Sequence, residues 1–96
     1  MSWSVRLQDE RGRPVILEDA DIDFSMIPQE TRFKLLHYID PYGHTYFNQV
    51  QMKDFLADWN ELHPANEHQR TEWALVKEMA TRCHDEVHLY LHFTGD

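Results

Sequence analysis

The spacing of apolar residues changes period twice along this chain, and that constrains its fold more than any motif does. Trp3, Val5 and Leu7 alternate with Ser4, Arg6 and Gln8, the period of a half-buried strand. After Asn48 the period lengthens to that of a helix. Met52, Phe55, Leu56, Trp59 and Leu62 form one stripe; Trp73, Val76, Met79, Ala80 and Cys83 form a second, over 67–83. In EVHLYLHF (86–93) alternation returns, with Val87, Leu89, Leu91 and Phe93 facing inward. A strand that follows two helices has to pair back into a sheet begun before them. The expected fold class is therefore α+β: a small antiparallel sheet of four or five strands, in the order β-β-β-β-α-α-β, with two helices on one face.

Local signals fill in the order. DERGR turns the first strand into PVILE (14–18), read as its hairpin partner, and 18–30 reads as a polar irregular stretch broken at Pro28. RFKLLHYID (32–40) is apolar on both faces and reads as a central strand. DPYG (40–43) fits a type I turn with Gly43 at positive φ; it leads into HTYF (44–47) and sets Asp40 opposite His44. Asn48 with Gln51 is a capping box, His63-Pro64 ends the first helix, and Asn66 caps the second.

A chain of 96 residues is one domain, 1–96. Cys83 is its single cysteine and has no partner in the chain, which points to a reducing compartment. Charged residues through 1–17 leave no room for a signal peptide, and no apolar run is long enough to span a membrane. The expected location is the cytoplasm. The net charge is −8, and between residues 9 and 30 seven acids face two arginines. That charge argues against nucleic acid and anionic membranes as partners and favours a basic protein. The chain has no GxGxxG, Walker loop, CxxC pair, GxSxG or HExxH, and three glycines are too few for a phosphate cradle.

His84, His88 and His92 recur every four residues. On a helix such imidazoles could share a zinc ion; on a strand they stand about 13 Å apart. The alternation makes this a strand, so His88 and His92 are expected to flank Tyr90 on its exposed face, a surface suited to recognition. Asp19, Asp21 and Asp23, with Glu30 at the twelfth position, match the acidic places of a calcium loop. Phe24 stands where that loop needs glycine and Pro28 interrupts it, so a solvated acidic loop is the preferred reading. Cys83, His84 and Asp85 adjoin in sequence, but Cys83 belongs to the buried stripe, where a thiol is inert. His63, Glu67 and His68 read as solvated loop residues around Pro64. Trp59 and Trp73 are assigned to the core and Trp3 to a contact patch near the surface. No catalytic, cofactor-binding or metal-ligating residue is assigned. The interaction candidates are Asp19, Asp21, Asp23, His88, Tyr90, His92 and Trp3. An alternative is a metal- or ligand-binding protein or enzyme built on His37, Asp40, His44, His88 and Tyr90.

YIDPYGHTYFN (38–48), the QMKDFL after it and the closing EVHLYLHFTGD resemble a group of small acidic bacterial proteins of about this length. The resemblance implies a bacterial cytoplasmic origin. It carries no activity and assigns no residue. By analogy with small acidic partner, antitoxin and immunity proteins, the expected function is non-enzymatic: binding a basic protein, as an inhibitor or immunity-like factor, or self-association.

Overall fold

The computed structural model describes residues 1–28 and 30–95. Four strands and two α-helices follow one another as β1 (Ser2–Asp9), β2 (Ala20–Asp23), β3 (His44–Asn48), α1 (Met52–Trp59), α2 (Glu67–Asp85) and β4 (Leu89–Thr94). The sheet order is β2-β1-β4-β3 and every pairing is antiparallel. The fold is α+β, as the two changes of period require. The last strand does pair back, and it does so in the interior of the sheet, between β1 and β3.

One face of the sheet carries Trp3, Val5 and Leu7 from β1, Ala20 and Ile22 from β2, Phe47 from β3 and Leu89, Leu91 and Phe93 from β4, all buried. The helices cover this face. Met52, Phe55 and Trp59 of α1 and Val76, Met79, Ala80 and Cys83 of α2 complete the same cluster. Phe93 is its hub: its ring stands 6.5 Å or less from those of Trp3, Phe47, Phe55 and Trp59. Burying each large apolar side chain contributes about 1.5–3 kcal/mol, which makes this cluster the main source of stability. The helices are tied together by a reciprocal pair of bonds, Trp59 Nε1–H to the Trp73 carbonyl and Trp73 Nε1–H to the Trp59 carbonyl, each 3.0 Å. Both N-terminal signals hold. Asn48 and Gln51 form the full capping box ahead of α1, and the Asn66 side chain accepts the Gln69 N–H at the start of α2.

Three expected elements differ, each for a physical reason. Residues 14–18 are not a strand. The hairpin begins, with Gly12 at φ 81° and the Asp9 carboxylate accepting the N–H groups of Arg11 and Arg13, but only an isolated bridge joins Gln8 to Pro14. The ladder stops there because Val5, the next residue of β1 facing that side, pairs with Ala20, and Leu17 is 91% exposed. The partner strand forms later, inside the acidic stretch, where Ala20 and Ile22 are buried and Asp21 and Asp23 exposed. This also removes the calcium-loop geometry, since 20–23 is extended.

Residues 32–40 are the second difference. Their buried members are Phe33, Leu36 and Ile39, a spacing of three, which suits turns and the short 3-10 helix Leu36–Tyr38 rather than a strand. The Asp58 side chain, buried on α1, takes the place of a neighbouring strand: its oxygens accept the N–H groups of Lys34, Leu35 and Leu36 at 2.8–3.3 Å. The DPYG turn therefore joins no hairpin. Asp40 Oδ1 accepts the Tyr42 N–H, the Asp40 N–H donates to Thr45 Oγ1, and Asp40 does not pair with His44. Gly43 lacks the expected positive φ; it is needed for space, because a Cβ there would lie 2.8 Å from Asp40 Oδ2.

Third, β4 starts at Leu89 rather than Glu86, because α2 runs on to Asp85 and His88 makes a left-handed turn at φ 65°. Val87 is accordingly 63% exposed. Asp58→Ala would leave three backbone N–H groups without their acceptor. It is expected to lower the unfolding free energy by about 3 kcal/mol in urea titration, whereas the exposed Asp54→Ala on the same helix should change it by less than about 0.5 kcal/mol.

Candidate functional site: the open face of the sheet

The face of the sheet away from the helices is polar and aromatic, and the strand register builds it in rows. Arg6 lies opposite His92 and His92 opposite Tyr46; Gln8 lies opposite Tyr90 and Tyr90 opposite Asn48; Ser4 lies opposite Thr94 and Thr94 opposite His44. On the far side Asp21 pairs with Ser4 and Asp23 with Ser2. Residues from both ends of the chain thus share one surface, with aromatic and imidazole rings at the β3–β4 end and carboxylates at the β2 end.

His92 is the centre of this surface. Its ring stacks on Tyr46 at 4.2 Å and 7°. Its Nδ1 is 3.1 Å from Gln8 Oε1, an oxygen that only accepts, which assigns the imidazole proton to Nδ1. Nε2 is then the acceptor, and it takes the Nδ1–H of His44 at 2.9 Å and the Thr94 hydroxyl at 3.2 Å. The two imidazole centroids are 5.1 Å apart for that 2.9 Å nitrogen separation. The nitrogens therefore lie between the rings and point at each other, not at a common third point where an ion would sit. Among the described residues no group of three or more His, Cys, Asp or Glu side chains is placed to hold a metal ion.

The sequence candidates divide. Tyr90 and His92 lie on the open face, half-buried at their bases. Asp19, Asp21 and Asp23 are exposed along its acidic side. Asp19 pairs with Arg6 at 3.4 Å, and Asp23 caps the following turn, its carboxyl held below the usual range by hydrogen bonds from Ser25. His88 does not flank Tyr90; its left-handed turn takes it off the strand and within 3.5 Å of Glu10. Trp3 is no surface residue. It is 1% exposed, packs 4.3 Å from Phe24, and donates its indole N–H to the Asp40 carbonyl. The alternative grouping also separates: His37 bonds the Phe33 carbonyl in its own turn, and Asp40 is held within the loop. Cys83 is buried as expected, and burial pushes its thiol up to about 11. The contributions of Arg6, Gln8, Tyr46 and Thr94 were not legible without the register, although each occupies the polar phase of its strand.

Two concavities lie elsewhere. One of about 510 Å³ runs along the outer side of α2 past Lys77, Thr81 and Arg82, and one of about 150 Å³ lies beside Arg32 and His63. Neither includes an open-face residue. Among the described residues no helix is long and apolar enough to cross a membrane. Scans against known protein families, curated proteins and solved structures return no match to this chain.

Partial burial first, then the neighbouring His44 and Arg6, lower the pKa of His92, with Asp19 opposing. The unfolded chain, with histidine near 6.5, then binds more protons than the folded one as pH falls through that value. Stability contributed by neutral His92 is present above this pH and lost below it. The melting temperature should fall between about pH 7.5 and 5.5, and His92→Gln should flatten part of that slope.

Proposed function

We propose that this protein is a non-enzymatic interaction module that docks a basic protein through the open face of its sheet. The observation that carries this reading is the register itself, which sets Tyr46, Tyr90 and His92 on the same uncovered face as Asp21 and Asp23, with Asp19 paired to Arg6 between them. Aromatic rings with polar tips supply contact area at low entropic cost, and they take cationic side chains on their faces. The acidic side and the net charge of −8 attract a basic partner and raise its rate of encounter. An inhibitor or immunity-like role in the bacterial cytoplasm, suggested by the resemblance of 38–48 and 86–96, belongs to the same reading.

A photo-crosslinking residue at position 90 tests this directly. At low salt it should capture a cationic protein from extracts of the source cell. Capture should weaken as salt rises toward about 0.5 M, where surface charges are screened. The same residue at position 77, on the outer side of α2, should not capture it. Equal capture at both positions, or no capture at position 90, removes the open face as the docking surface.

A further inference from the structure

The two edges of the sheet differ in a way that selects one of them for pairing. The β2 edge is four residues long and carries Asp21 and Asp23. A second copy aligned there would bring carboxylates together, the usual protection of a strand edge. The β3 edge, His44 to Asn48, holds no Asp, Glu, Lys or Arg. Its hydrogen-bonding phase follows from the Gly95 N–H, which donates to the Gly43 carbonyl at 2.8 Å. Bonded and non-bonded pairs alternate along an antiparallel ladder, so Thr45 and Phe47 bond to β4 while the N–H and C=O groups of His44 and Tyr46 point outward. Among the described residues, no backbone group outside the sheet pairs with them. Asn48 closes this edge, because its N–H is already given to Gln51 Oε1 in the capping box.

We propose that the outer edge of β3 pairs with the same edge of a second copy, antiparallel about a two-fold axis at Thr45. That register sets His44 opposite Tyr46 of the second copy, and every outward N–H and C=O of both residues finds an acceptor or donor. It uses the four free groups of each edge and stops where the capping box begins. The Thr45 side chain is turned to the inner side, where its hydroxyl accepts the Asp40 N–H, and does not obstruct the approach. On the open face the imidazole of His44 meets the ring of Tyr46, which is 52% exposed, and no like charges are opposed. The interface is isologous and closed, so it yields a dimer with one continuous sheet rather than a filament.

This pairing uses the edge of the sheet and not its face, and its salt dependence has the opposite sign to that of docking a basic partner. Two chains of −8 repel at low salt, so added salt should tighten the dimer. Light scattering on the whole chain, up to roughly 1 mM, reads the mass. It should rise from 11.6 kDa toward twice that value with concentration, and at lower concentration when salt is raised. Tyr46→Pro deletes an outward N–H at a position not bonded to β4, so with native circular dichroism it should remain monomeric. Should that variant not fold, Tyr46→Lys at the same exposed position serves instead, setting the cations of the two copies near each other, and should likewise stay monomeric. A wild-type chain that is monomeric at every concentration and salt overturns the proposal. So does a folded edge variant that dimerises as well as the wild type.

Discussion

The placement of β4 between β1 and β3 is the constraint on which everything else in this protein depends. Without it β1 and β2 form a two-stranded ribbon, too small to be stable alone, and β3 has no neighbour in the sheet. β4 also supplies Phe93, the ring around which Trp3, Phe47, Phe55 and Trp59 gather. Its pairing with β1 joins residues more than eighty positions apart, such as Arg6 and His92. Closing so long a loop costs entropy before any contact repays it, so the sheet and the helical layer have to form together.

The same placement creates the open face. Alternation along β4 sends Leu89, Leu91 and Phe93 into the core and Tyr90, His92 and Thr94 outward. Each outward residue acquires a neighbour from β1 on one side and from β3 on the other. His92 is held by this arrangement as a neutral ring with a defined tautomer, because Gln8 and His44 occupy both of its nitrogens. A neutral, oriented imidazole stacked on tyrosine suits the docking role proposed for this face. Its Nε2 accepts from His44 and Thr94, so the two facing imidazole nitrogens point at each other rather than at a common third point.

Much of this was legible from residue order. Both helices, both N-terminal caps, β1 and the core of β4 follow from period and capping chemistry, since these depend on residues close in sequence. The acidic strand β2 was hidden because only Ala20 and Ile22 carry its apolar phase. The 32–40 segment misled because an apolar spacing of three can be overlaid on alternation, and because its hydrogen-bond acceptor, Asp58, lies on a later helix. Val87 and His88 read as strand because nothing local shows that α2 continues to Asp85.

The sequence by itself determined which side chains are apolar and at what period, and therefore the helices, the inner face of the sheet and the strongly acidic surface. It also placed Cys83 on the buried stripe of α2. Only the tertiary structure decided the strand order and register. It thereby decided that His44, Tyr46, Gln8 and His92 meet, that Trp3 lies inside, and that His88 stands apart. The physical reason is range. Period and capping act over one or two turns of chain, whereas register is set by the fit of distant strands onto one core, and a shift of a single residue would exchange the buried face for the open one.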